Sequence, residues 1–221
     1  MNKTMTSLSI AMILTTSALM ATSAHAVKGL SANASAANNY LWRGVTQTTN
    51  AAAVSGGIDY ENDSGFSVGT WASNADWAEN MTYELDFYAA YSNELENGVG
   101  YSLGYIYYAY DSDAESDFSE VNFSLSYDAF SISYNTLVDS DGGGDFGDDT
   151  YIAADAAFEI SDGLELAFHA GNYDFDAGGD YVEYGVSLSK AGFTFGLYDT
   201  DIDGADGDVN FLVSYSVDFD L

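Results

Sequence analysis

Residues 209–221 read Val-Asn-Phe-Leu-Val-Ser-Tyr-Ser-Val-Asp-Phe-Asp-Leu, and no other segment constrains the fold as much. Val209, Phe211, Val213, Tyr215, Val217, Phe219 and Leu221 share one parity. Asn210, Ser214, Ser216, Asp218 and Asp220 share the other, with Leu212 as the apolar exception. Successive side chains of a strand point to opposite faces, so this is a β-strand with one apolar and one polar face, running to the last residue. The final strand of a soluble sandwich alternates in the same way. The environment of the apolar face must therefore be read from the rest of the chain.

About twelve such segments follow one another. The first is expected from Ser35 to Val45, the second near Ala53–Tyr60 and the third near Gly65–Ala72. The fourth sets Met81, Tyr83, Leu85, Phe87, Ala89 and Tyr91 against Thr82, Glu84, Asp86 and Tyr88. Later examples are Val121, Phe123, Leu125 and Tyr127 against Glu120, Asn122, Ser124 and Ser126, and Val182, Tyr184, Val186 and Leu188 against Glu183, Gly185 and Ser187. The connections alternate in length. Short ones such as Asp128-Ala129, Ser161-Asp162-Gly163 and Lys190-Ala191-Gly192 carry the residues tight hairpins demand. Long ones run over 46–52, 73–80, 111–117, 139–149, 174–180 and 199–208. A sandwich gives no reason for that regularity. A transmembrane up-and-down antiparallel β-barrel of about twelve strands does, with short turns on one rim and long loops on the other. The fold class is thus all-β.

The beginning of the chain agrees. Lys3 precedes an apolar stretch from about Leu8 to Met20, and Ala24-His25-Ala26 supplies an A-x-A cleavage site. Residues 1–26 are expected to be a secretory signal peptide and residues 27–221 one barrel domain. No later stretch approaches eighteen consecutive apolar residues, which excludes a spanning helix but not spanning strands. The 18 Tyr and 13 Phe suit interfacial aromatic girdles. The chain has no Cys and no Pro; each Pro would have removed a donor from a continuous ladder.

The formal charge is −31, from 35 acidic and 4 basic residues, which excludes nucleic-acid binding because phosphate recognition needs Lys or Arg. The acids expected to face the lumen are Asp59, Glu84, Asp86, Glu120, Asp155, Glu159, Glu165 and Glu183. Arg43 joins them as an inward residue of the first strand, because Tyr40 and Trp42 share the opposite face. It would meet Asp59, Glu84 or Asp86, as a structural ion pair more readily than as a tuner of a channel. Two Asp-rich loops resemble calcium loops: Asp139, Asp141 and Asp145 in one, Asp201, Asp203 and Asp206 in the other. Neither has the spacing to a bidentate Glu that an EF-hand requires, and solvated, mutually repelling loop tips explain them better than a metal site. No cofactor is expected. His169 is the sole His after the cleavage site. No nucleophile motif accompanies it, so it is read as a lumenal residue rather than a hydrolase base.

The terminal strand resembles that of bacterial outer-membrane barrels. That resemblance implies recognition by the barrel-assembly machinery, although Leu221 stands where most of that class has Phe. Asn38-Asn39-Tyr40-Leu41-Trp42-Arg43-Gly44-Val45-Thr46-Gln47-Thr48 resembles the opening stretch of the TorF family of porin-like outer-membrane proteins. Gly56-Gly57-Ile58-Asp59-Tyr60, the segment from Ser64 to Asn74, and Glu84-Leu85-Asp86-Phe87-Tyr88 follow in the same order and spacing. Asn39 stands where Asp is common. The resemblance covers about a third of the chain and implies a porin-like barrel in a Gram-negative outer membrane, without a defined substrate.

These readings lead to an expected channel for passive diffusion of small hydrophilic solutes, with acids in the lumen favouring cations. The alternative is a barrel plugged by its own side chains (Tyr88, Tyr108 and Tyr198 are large enough) and acting as a structural or surface-binding protein through acidic loops. Outer-membrane lipid and lipopolysaccharide are the expected surroundings.

Overall fold

The computed structural model describes residues 27–112, 115–203 and 208–221. The expected signal peptide lies outside the described residues. Twelve antiparallel strands close into a barrel: β1 (Leu30–Ala37), β4 (Ala53–Glu61), β5 (Phe66–Asn74), β6 (Tyr83–Glu94), β7 (Gly100–Tyr110), β8 (Phe118–Tyr127), β9 (Phe130–Ser140), β10 (Thr150–Ser161), β11 (Leu164–Asp174), β12 (Tyr181–Lys190), β13 (Phe193–Thr200) and β14 (Asn210–Asp220). Two short strands, β2 (Leu41–Trp42) and β3 (Val45–Thr46), pair only with each other. Each barrel strand pairs with its neighbours in sequence. The ring closes where β1 pairs with β14 on one side, Ser31 opposite Asp220, and with β4 on the other, Leu30 opposite Tyr60. Closure removes the unpaired edges that an open sheet would present.

The alternation read from the sequence becomes an outside and an inside. Ile58, Val68, Phe87, Leu103, Phe123, Ile132, Phe168, Leu188, Phe195 and Phe211 are exposed on the outer face. That apolar surface runs round the whole circumference, which fits hydrocarbon and not water. The opposite parity turns Glu84, Asp86, Glu120, Glu183, Ser102, Ser187 and Thr194 inward, where they are buried.

The lumen is packed by tyrosines lying across glycines. Gly185 is in register with Tyr198, and a Cβ on Gly185 would sit 2.3 Å from that ring. Gly69 faces Tyr88 in the same way, with the ring 2.6 Å from where a Cβ would be. Glycines in these strands mark close approach of an aromatic ring. All three tyrosines that the sequence offered as filling are lumenal; Tyr108 and Tyr198 are buried.

The structure corrects the first strand. It ends at Ala37, not Val45, and the chain then turns away from the wall ladder until β4 begins at Ala53. Arg43 is therefore not a strand residue. It and Gly44 are the two central residues of the β2–β3 turn, with φ of 50° and 80°. Positive φ at both positions is the type I′ geometry whose twist matches a two-residue hairpin.

Replacing Gly185 by Val should displace the Tyr198 ring and cost about 1–3 kcal/mol of barrel stability. Thermal unfolding of the refolded protein in detergent measures it; an unchanged midpoint would contradict the packing described.

Candidate functional site: a hairpin latched across the lumen

The hairpin is fastened at its base and at its tip. At the base, the Asn38 side-chain amide donates to the Phe211 carbonyl at 2.8 Å, and the Val213 N–H donates to Asn38 Oδ1 at 2.6 Å. Asn39 is buried and accepts from the Thr46 hydroxyl at 2.7 Å. The Gln47 N–H donates to the Tyr40 carbonyl and the Tyr40 N–H to Thr48 Oγ1. These bonds satisfy the backbone of a segment that would otherwise be costly to place inside a barrel. Two further contacts bind it to the wall. Tyr40 meets the Trp71 ring edge-on at 5.4 Å, and its hydroxyl donates to Glu84 at 2.8 Å. Burial, reinforced by the Glu84 and Asp86 charges, pushes the Tyr40 pKa well up, so it remains a neutral donor.

At the tip, Arg43 forms a two-pronged ion pair with Glu120. Nη1 to Oε1 is 2.9 Å and Nη2 to Oε2 is 2.6 Å, with both side chains buried. Its guanidinium carbon also lies 4.2 Å from the Trp42 ring centroid, 4.3 Å from Tyr151 and 4.7 Å from Tyr173. Burial opposes the guanidinium charge, but Glu120 more than offsets it, and the pKa rises above its ordinary value. Arg43 stays charged. On the far side the Tyr181 hydroxyl donates to the Arg43 carbonyl at 3.0 Å. A Cβ on Gly44 would lie 2.8 Å from the Thr200 methyl and 2.9 Å from a Glu183 carboxylate oxygen, so the turn presses directly against β12 and β13. Trp42 fills the space toward Tyr108, Phe118 and Tyr173. The hairpin thus touches the wall on opposite sides of the bore, in its long-loop half.

Each expected lumenal residue has a definite place. Asp59 accepts from Tyr88 and from Asn33 at 3.2 Å. Glu84 and Asp86 are both buried, and among the described residues neither Asp86 oxygen has a donor. Asp155 and Glu183 clamp His169 from either side, at 2.6 Å on Nδ1 and 2.9 Å on Nε2, and Tyr151 donates to the same Glu183. With carboxylates on both ring nitrogens, His169 is held as an ion-pair partner and not presented as a base. Glu159 and Glu165 sit opposite each other in register but exposed, at the short-turn rim. The partner expected for Arg43 is corrected. It is Glu120, because the tip of a hairpin reaches across the bore where a strand residue would meet only its neighbours.

Among the described residues no three Asp, Glu or His side chains gather as a metal-holding group. Asp139, Asp141, Asp145, Asp201 and Asp203 are within that set; Asp206 lies outside the described residues. Sequence reasoning missed Tyr40, Trp42, Tyr151, Tyr173 and Tyr181 as a group. The Arg43-Gly44 pair between Trp42 and Val45 was the available signal, since a residue–Gly pair between apolar positions marks a tight turn.

The fold and site define a closed twelve-stranded barrel of membrane type with an inward-folded hairpin. The chain belongs to a family of bacterial proteins of unknown function, Gcw_chp, whose model matches residues 20–217. That match does not carry the TorF name. No curated protein matches the sequence. Among solved structures it is similar to the KdgM porin, with a TM-score of 0.57 and 8% identity over 86% of this chain and 99% of that one. It is also similar to KdgM porin in complex with disordered oligogalacturonate, with a TM-score of 0.53 and 9% identity over 86% and 95% of the two chains. At such identity the likeness establishes the barrel fold.

Replacing Glu120 by Gln or Arg43 by Ala should each cost about 3–5 kcal/mol, because one charge is left buried without its partner. The double variant should lose much less than the sum, and a double-mutant cycle on thermal unfolding measures the coupling. Additive losses would contradict the latch.

Proposed function

We propose that this protein is an outer-membrane channel of porin type, passing small hydrophilic solutes with a preference for cations. The hairpin over residues 38–52 sets its narrow or closed state. The observation that carries the reading is the barrel itself: apolar and aromatic outside, polar and acidic within, with one segment placed to obstruct the bore. Likeness to a fold used by a porin supports it. The charge balance of the lumen supports the selectivity. Lys28 pairs with Asp63 and Lys190 donates to the Asp162 carbonyl, both exposed at the short-turn rim. Arg43 and His169 are the basic side chains inside, and both are neutralised by carboxylates. Asp59, Glu84, Asp86 and Asp218 remain on the opposite wall without a basic partner among the described residues. A bore of that sign concentrates cations.

In this reading residues 1–26 direct export, β14 is recognised by the assembly machinery, and the acidic long loops meet lipopolysaccharide through bridging divalent cations. A second reading has its own observation. The hairpin is held at base and tip, as a permanent plug would be. The protein would then be a non-conducting barrel that binds or supports the cell surface through its acidic loops.

Single-channel recording of the refolded residues 27–221 in a planar bilayer across a KCl gradient separates the two. The channel reading predicts discrete steps with a cation-selective reversal potential that shrinks as salt rises and screens the lumenal field. It also predicts that Arg43→Ala raises conductance or open probability. Anion selectivity at low salt would contradict the proposed preference. A folded barrel that never conducts, with or without Arg43, would establish the plug.

A further inference from the structure

The surroundings of Arg43 are more than a counter-charge. A carboxylate alone would balance an arginine or a lysine equally. Here Glu120 presents both oxygens to the two terminal nitrogens, at 2.9 and 2.6 Å, in the fork geometry that only a planar guanidinium matches. The Tyr151 and Tyr173 rings are stacked on the guanidinium carbon at 4.3 and 4.7 Å. Aromatic faces attract cations, and flat delocalised ones most readily. Glu120, Tyr151 and Tyr173 belong to β8, β10 and β11, which are wall strands held in register by the closed ladder. Their backbone is set by the ladder and not by the hairpin. Trp42 and Arg43 belong to the hairpin and would leave together.

We propose that Glu120, Tyr151 and Tyr173 form a guanidinium-selective site in the barrel wall, filled in this structure by the chain's own arginine. Solutes that carry a guanidinium group bind there when the hairpin withdraws. Arg43 is then an internal competitor. The latch that narrows the bore and the site that selects a solute are one set of residues, so the solute itself promotes opening. The solute part of this inference rests on the channel reading; the site itself does not.

Chemical rescue of Arg43→Ala tests it, with methylguanidinium as the probe. Truncation at Cβ vacates the cage and leaves Glu120 buried without its partner. Methylguanidinium in about tenfold excess over its dissociation constant should raise the thermal midpoint of the variant by roughly 3–6 °C. Ethylammonium and the neutral urea at the same concentration should not. The shift should vanish in Arg43→Ala combined with Glu120→Gln. Refolding yield is read alongside: a variant that folds only with methylguanidinium supports the site, and one that folds in neither condition counts against it. An equal shift from ethylammonium would overturn the selectivity, and no shift would overturn the site. In the bilayer, methylguanidinium should block the Arg43→Ala current and raise the open probability of the unaltered protein. A conducting barrel whose currents it leaves unchanged would remove the site from the solute path. A barrel that never conducts would overturn the channel reading alone, with the thermal shift still deciding the site.

Discussion

A buried arginine must have a partner, and this constraint organises the interior of the barrel. Arg43 is carried into the bore by a turn whose backbone geometry its Gly44 neighbour permits. Without Glu120 the guanidinium would face a desolvation cost of several kcal/mol, and the hairpin would have no reason to stay inside. With Glu120, the cost is met, and the aromatic residues of four wall strands close around the pair. The net contribution of such a pair to stability is small. Its value is positional: it fixes one place where the tip can rest.

The second neutralised group has a related logic. His169, between Asp155 and Glu183, ties β10, β11 and β12 together just below the hairpin, and Tyr151 links the two centres by donating to Glu183 while stacking on Arg43. The opposite wall is built differently. Glu84 receives the Tyr40 hydroxyl, Asp59 receives Tyr88, and Asp86 has no donor among the described residues. The bore therefore has a neutralised side and an acidic side, and the hairpin spans both. Substitutions on the two sides should differ in kind, affecting latch strength on one and the unpaired charge of the lumen on the other.

The barrel was largely legible in the sequence because its signal is a period of two repeated round a closed ring. Glu84 and Asp86 came out buried inside, as their parity required, and Phe87 came out exposed. Alternating loop lengths gave the two rims. What escaped was the course of residues 38–52. Tyr40 and Trp42 share one parity with Arg43 on the other, which is the pattern a strand would show. Periodicity cannot distinguish a segment that lines a wall from one that folds back across it. The stretch that resembled a known family is that hairpin, and the Gly57, Trp71 and Glu84 segments that followed it are its seat and nearby wall. Their shared spacing reflects contact in space, which order along the chain does not reveal. The partner of Arg43 was missed for the same reason: Glu120 is distant in sequence and across the bore.

The central claim is that the hairpin tip rests inside the barrel, pressed against its wall, and a cysteine pair tests it most directly. The chain has no cysteine of its own. Gly44→Cys combined with Thr200→Cys can close a disulfide, since a Cβ on residue 44 would lie 2.8 Å from the Thr200 methyl, the position the second cysteine's sulfur can take. A crosslink is predicted in the folded, membrane-embedded protein, reversed on reduction. A control with Thr194→Cys, lower on the same strand, should not crosslink. Absence of the Gly44–Thr200 crosslink in a folded barrel would contradict the account.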